Sequence, residues 1–224
     1  MTTAAIIVAA GRGQRMLRET PKQYLDLAGI PVLRHTVRTF LADPGIAHIL
    51  VVIHPDDRPL YDAALEGLTD ARLMPPVHGG SLRATSVRNG LEALADVSPD
   101  HVLIHDAARP FCPLSVISAV LAELSDADGA FAALPVVDAL WRVDRGEAQE
   151  SVPRHALWRA QTPQGFRYQA IVEAHLTQEG DPLDDVQVAK QAGLTVNVVL
   201  GDETNFKITT PEDMARAEQW LAKT

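Results

Sequence analysis

Three observations predict an α/β chain built on a mostly parallel sheet with helices on both faces. Strand-like and helix-like segments alternate along most of the 224 residues. The strand-like runs are continuous apolar stretches, as strands covered on both faces require. Glycine-bearing polar motifs follow several of them, where parallel sheets collect their ligands. Such βα alternation gives a three-layer arrangement, and the length suits one domain with its own core.

The elements follow in order. Ala4-Ala5-Ile6-Ile7-Val8 reads as a buried first strand. Leu33, Val37, Phe40 and Leu41 fall at i, i+4, i+7 and i+8, the apolar face of a helix. Ile49 to Ile53 is a β-branched run for a second strand, Val87, Leu91 and Leu94 mark a helix, and His101 to Ile104 forms another strand. Val116, Val120 and Leu124 give a further helix, and Thr195 to Leu200 a late strand. Thr210 caps the last helix, with Pro211 in its first turn, acids at Glu212 and Asp213, and a stripe of Met214, Ala217 and Leu221. The region from about 139 to 159 breaks the rhythm: two short, partly alternating segments around Arg145-Gly146-Glu147 read as a β-hairpin. A hairpin with so little core must pack on something else, and a second subunit is the natural candidate.

Composition narrows the function. With 46% hydrophobic and 22% charged residues the chain is ordinary and globular, and its net charge of −9 argues against a nucleic-acid surface. The single cysteine, Cys112, excludes an internal disulfide framework and fits a reducing cytosol. The N-terminal apolar run is short and lacks a basic leader, and no run reaches membrane-span length. A soluble, cytoplasmic protein is expected.

Four motifs carry chemistry. The first runs from Ala9-Ala10-Gly11-Arg12-Gly13 through Arg15 and Met16 to Pro21-Lys22-Gln23-Tyr24. Its small residues admit backbone amides to close range, and Arg12, Arg15 and Lys22 supply positive charge, which suits an oligophosphate. A dinucleotide turn would need a small residue where Met16 stands and a prompt helix, and a P-loop would need Gly-Lys followed by Ser or Thr. Arg15 and Lys22, seven residues apart, can flank one phosphoryl group, although a Gly-x-Gly turn alone is also compatible with a plain strand-to-loop turn. The second motif, His78 to Val87, follows the run Ala71-Arg72-Leu73-Met74, and its Ser86 can meet a base edge or simply belong to a helix start. The third is His105-Asp106-Ala107-Ala108-Arg109-Pro110. Asp106, at a strand end beside a phosphate site, suits Mg²⁺, or is a turn residue; His105 reads as structural. The fourth, Gly201 to Thr209, offers Lys207 to an anion or to solvent.

These motifs, together with Gln161-Thr162-Pro163-Gln164 and Asn205-Phe206-Lys207-Ile208-Thr209, resemble the 2-C-methyl-D-erythritol 4-phosphate cytidylyltransferase family from about Ala4 to Leu221. The resemblance implies a Rossmann-like nucleotidyltransferase fold with an inserted β-hairpin arm at about 139–159. It also implies a cytosolic enzyme of non-mevalonate isoprenoid synthesis that joins CTP to 2-C-methyl-D-erythritol 4-phosphate with the help of Mg²⁺, giving the cytidine diphosphate alcohol and pyrophosphate. Arg15 and Lys22 would stabilise charge on the α-phosphate, and Asp106 would hold Mg²⁺. Ala9, Ala10, Gly11, Gly13 and Ala107 would belong to the nucleotide site, with Gly80, Ser81 and Ser86 recognising cytosine. Arg109, Arg154 and Lys207 would position the sugar phosphate, and the arm bearing Arg154 would cross to the second subunit of a homodimer.

Three positions in two motifs depart from the family pattern. Pro135-Val136-Val137-Asp138-Ala139-Leu140-Trp141 lacks the threonine expected at Ala139 and the lysine expected at Trp141, and Ser81 replaces an acid found in some relatives. A cytidylyltransferase for another polyol phosphate, such as ribitol 5-phosphate, is the nearest rival reading. A non-catalytic nucleotide-binding protein would need a lost catalytic group, yet Arg15, Lys22, Asp106 and Lys207 are present. A Rossmann dehydrogenase is disfavoured by Met16 and by the missing acid about 20 residues after the turn.

Overall fold

The computed structural model describes residues 1–12 and 20–223. In chain order it contains β1 (Thr3–Ala9), β2 (Asp26–Leu27), β3 (Ile30–Pro31), α1 (Val32–Leu41), β4 (Ile46–Ile53), α2 (Arg58–Ala64), β5 (Val77–His78) and α3 (Arg83–Ala93). Then follow β6 (His101–Asp106), α4 (Leu114–Glu123), β7 (Gly129–Pro135), β8 (Leu140–Asp144), β9 (Glu147–Val152), β10 (Trp158–Arg167), α5 (Tyr168–Thr177), α6 (Asp185–Gln191), β11 (Val196–Leu200) and α7 (Pro211–Leu221). No helix among the described residues is long and apolar enough to cross a membrane.

Seven strands form the main sheet in the order β11-β7-β10-β6-β1-β4-β5. All neighbours run parallel except β10, which is antiparallel to both β6 and β7. Successive side chains of a strand point to opposite faces, and β1 buries both sets. Ala5, Ile7 and Ala9 join Val37, Phe40, Ile117 and Val120 of α1 and α4 on one face. Ala4 and Ile6 join Val87, Leu91, Ile171 and Val188 of α3, α5 and α6 on the other. That two-sided burial is why the strands read as continuous apolar runs. A third cluster of Leu27, Val32, Ile208 and Ala217 seats α7 against the β2–β3 hairpin.

Two expectations are adjusted. The arm is β8 and β9, paired around Arg145 and Gly146, and it ends at Val152 rather than near 159. Trp158 and Arg159 instead begin β10 and pair with Pro135 and Leu134 of the main sheet, because the chain must re-enter that sheet there. The run Ala71–Met74 contributes only one bridge, Leu73 to Ile49, and the strand leading into the Gly79-Gly80 turn is Val77–His78.

Candidate active site

β1, β4 and β6 end side by side at Ala9, Ile53 and Asp106, and the motifs begin where these strands stop. Ala107 N–H donates to Val8 O at 3.1 Å and Gly79 N–H to Ile53 O at 2.8 Å, so both following loops leave the sheet in register. Between them lies a cavity of about 260 Å³. Its lining includes Ala9, Ala10, Gly11 and Lys22 from the first motif, Gly80, Ser81, Arg83 and Ser86 from the second, and Asp106, Ala107 and Lys207 from the other two. Gly13 and Arg15, like Met16, lie outside the described residues.

The glycines are required by proximity. A Cβ on Gly79 would stand 2.6 Å from both the Ala10 methyl and Ser86 Oγ, and one on Gly80 would overlap Thr85. The second motif thus approaches the first closely enough to share one ligand. Ser86 is the hinge of this turn: its hydroxyl accepts from Gly80 N–H at 3.1 Å and donates to Leu82 O at 3.0 Å. A second lone pair on that oxygen remains for a ligand donor.

Asp106 gathers the cations. Its Oδ2 is 2.8 Å from Lys207 Nζ and 3.6 Å from Arg109 Nε, and its Oδ1 is 3.9 Å from Arg83 Nε. Burial pushes the carboxyl upward, but Lys207, Arg83 and Arg109 outweigh it and hold the group well below the usual carboxylate range. Arg83 is itself anchored on α6, donating to the fully buried Asp185 at 2.6 Å, whose other oxygen is 3.1 Å from His175 Nε2. Burial works against the charge on Arg83, and Asp185 and Asp106 reverse that, leaving its pKa raised.

Backbone geometry around Asp106 is fixed by residues to which sequence reasoning gave no role. Asp106 N–H donates to Thr162 Oγ1 at 3.1 Å, and Thr162 Oγ1 stands 3.1 Å from His105 Nδ1. His105 Nε2 lies 3.0 Å from Arg109 O, which can only accept, so Nε2 carries a proton. Burial lowers this imidazole to about 4, in keeping with its structural reading. From α1, Thr36 and Thr39 donate to Ala107 O and Pro110 O at 2.7 and 3.1 Å. Asn205 Nδ2 donates to Thr162 O and Arg109 Nη1 to Asn205 O, which ties the Lys207 loop to the same frame. Gln23 Nε2 donates to Ala9 O at 2.6 Å and Gly11 O at 3.1 Å, closing the first loop on itself. The Gln-Thr-Pro-Gln motif was the signal available for Thr162; nothing in the pattern pointed to Thr36 or Thr39.

Arg109 reaches Asp106 but does not itself line the cavity, and two further predicted residues sit apart from it. Arg12 turns away from it onto Asp56 and Asp57, so it is not a cation of the pocket wall. Arg154 is exposed on the turn between β9 and β10, where its carbonyl accepts from Leu157 N–H. Among the described residues no cluster of three His, Cys, Asp or Glu side chains could hold a metal. Asp106 alone fits the one-carboxylate, phosphate-completed coordination that Mg²⁺ accepts, with Oδ1 as its less encumbered oxygen.

Residues 3–223 match the family model described as 2-C-methyl-D-erythritol 4-phosphate cytidylyltransferase. A protein of that name from Cereibacter sphaeroides is 52% identical over 222 residues, covering 99% of this chain and 98% of its own. A protein from Rhodospirillum rubrum named bifunctional enzyme IspD/IspF is 52% identical over 217 residues, 96% of this chain and 56% of its own. Among solved structures, the 4-diphosphocytidyl-2C-methyl-D-erythritol synthase of Anaerococcus prevotii superposes with a TM-score of 0.84 at 28% identity, covering 99% and 96% of the two chains. The Thermus thermophilus 2-C-methyl-D-erythritol 4-phosphate cytidylyltransferase does so at 0.77 and 34%, over all of both chains. With its motifs meeting at the carboxyl ends of neighbouring parallel strands, and with a family model and a relative that match nearly end to end, this chain belongs to the 2-C-methyl-D-erythritol 4-phosphate cytidylyltransferase family.

Proposed function

We propose that this chain transfers the cytidylyl group of CTP to 2-C-methyl-D-erythritol 4-phosphate, giving 4-diphosphocytidyl-2-C-methyl-D-erythritol and pyrophosphate. The observation that carries the reading is the convergence of Lys207, Arg109 and Arg83 on Asp106 beside the Ala9–Gly11 wall. One cavity thereby offers close backbone amides for a triphosphate and cations for a second phosphate. A phosphate oxygen of the acceptor forms the new bond to the α-phosphorus, and the bond from that phosphorus to the pyrophosphate oxygen breaks. The acceptor is already an anionic nucleophile, so the chain need only align and neutralise.

Lys22, on the cavity wall, is assigned to charge building on the α-phosphate, together with Arg15. Lys207 and Arg109 hold the acceptor phosphate, while Gly80, Ser81 and Ser86 face the base. Mg²⁺, carried in on CTP and held by Asp106, would neutralise phosphate charge. The arm supplies Arg154 to a second copy: β8 and β9 form a separate two-stranded sheet whose Trp141 and Val143 are more than half exposed, and such a ribbon is marginal in water alone. A homodimer and a cytoplasmic setting complete the reading, the latter supported by the one free, buried cysteine.

The deciding experiment follows pyrophosphate release with CTP and Mg²⁺, offering 2-C-methyl-D-erythritol 4-phosphate and ribitol 5-phosphate separately. Release with the first alone is expected, and shows that Ala139 is tolerated. Release with ribitol 5-phosphate alone moves the acceptor; silence with both overturns the enzymatic reading.

A further inference from the structure

Arg12 follows Gly11 directly in the nucleotide loop, yet its guanidinium is spent elsewhere. Nη1 donates to Asp57 Oδ1 at 2.8 Å, and Nη2 donates to Asp56 Oδ2 at 3.0 Å and to His54 Nδ1 at 2.6 Å. These three partners form the turn that follows β4. Asp57 is 1% exposed, and its second oxygen has no hydrogen-bond partner among the described residues. Arg12 is its charge partner, so the pair cannot be separated without stranding a buried carboxylate. Two carboxylates around one guanidinium also leave no net positive charge there to draw in a triphosphate.

The opposite end of the loop is tied differently, by Gln23 on the carbonyls of Ala9 and Gly11. Next to Gln23, Tyr24 is buried, and its hydroxyl is held neutral by burial and by the nearby charge of Asp57. Asp57 therefore contacts the loop at Arg12, and its charge is also felt at Tyr24.

We infer that Asp57 and Arg12 form a clasp that fixes where the nucleotide loop leaves β1, and so where the Gly11 backbone meets the triphosphate. Both are positioning residues; neither touches substrate. This rests on the cytidylyltransferase reading above. Fixing the amides before CTP arrives favours ground-state and transition-state binding alike, so loosening them raises KM and largely spares kcat.

The test is a double-mutant cycle of Asp57→Asn and Arg12→Gln, with steady-state pyrophosphate release at saturating acceptor, calorimetric CTP binding and thermal melting on each variant. Each single variant is expected to raise the KM and Kd for CTP about tenfold with kcat within about threefold, and the double variant to be no worse than either single one. An arginine that grips phosphate directly gives a different pattern: Arg12→Gln impaired and Asp57→Asn unimpaired, with additive effects. That pattern, or a wild-type CTP affinity in Asp57→Asn, overturns the clasp. Should Arg12→Gln fail to fold, Asp57→Asn decides alone. If wild type binds CTP without releasing pyrophosphate, the functional reading falls, while the calorimetric cycle still scores the clasp. Absence of CTP binding overturns both.

Discussion

The two carboxylate oxygens of Asp106 face Lys207, Arg109 and Arg83, which lie in different parts of the chain. Lys207 is the most exposed of the three cations, about a third accessible, and so the one best placed to exchange its carboxylate for an incoming phosphate. Removing it in Lys207→Ala should raise KM for the acceptor about 10- to 100-fold, the worth of one charge-assisted hydrogen bond, with a far smaller effect on KM for CTP. An unchanged acceptor KM would remove Lys207 from that site. A second residue-level expectation concerns His35, half-buried with Nε2 donating to Leu27 O at 2.8 Å. Burial pulls its pKa below the ordinary 6.5 despite that hydrogen bond. Below about pH 6.5 the unfolded chain then binds a proton that the folded one resists, so stability falls as pH falls through that range. His35→Gln should flatten this part of a urea-midpoint-against-pH curve; an unaltered slope counts against the assignment. At this scale the sequence showed which side chains carry charge but not where they point. Arg12 looked like a phosphate cation because its neighbours are Gly11 and Gly13, while its partners stand 42 to 45 residues away.

Elements were legible where one local rule dominates. α7 begins with a full capping box: Thr210 Oγ1 accepts from Asp213 N–H at 3.3 Å, and the Asp213 carboxylate returns to Thr210 N–H at 2.9 Å. Thr210→Ala should cost about 1 kcal/mol and lower Tm by roughly 2–4 °C, read by calorimetry. No change would mean that packing against Leu27 and Ile208 holds the helix alone. β10 was illegible for the opposite reason. Its middle, Gln161-Thr162-Pro163-Gln164, is buried yet neither apolar nor alternating, and a register shift falls there. The polar side chains among them are sheltered because each has a side-chain hydrogen bond, Gln161 to the Asp202 carbonyl, Thr162 to His105 on the neighbouring β6 and Gln164 to Asp184. A strand that spends its polar groups on positioning a site gives no strand pattern to read. The arm was seen as a hairpin but drawn too long, since Trp158 and Arg159 look like hairpin residues until their partners on β7 are known.

For the whole molecule, the proposed exchange of arms makes a specific demand. Arg154→Ala and Lys22→Ala would each be inactive, but one site of every mixed dimer would receive an intact Lys22 from its own body and an intact Arg154 from its neighbour. Statistical mixing of the two variants should restore about a quarter of wild-type activity, half the dimers being mixed and one site in each being whole. A mixture no better than its parents rules the exchange out. The mostly parallel sheet and its helix layers were visible beforehand, because two-sided burial writes itself into composition; the strand order and the reversal of β10 were not, since nothing local fixes a strand's neighbours or its direction.

That reversal has a consequence for how the protein can change. β7 and β10 are already zipped below the arm: Pro135 pairs with Trp158, and Val136 N–H donates to Leu157 O at 3.0 Å. Everything above that rung can lengthen, shorten or be rewritten without moving a core side chain. The fold itself therefore asks little of the stretch bearing Ala139, Trp141 and Arg154, and what constrains those positions is the acceptor and the partner they are proposed to meet. The walls around Gly11 and Asp106 are locked into the sheet and tolerate little. One end of the reaction is held by the architecture, and the other is left to selection.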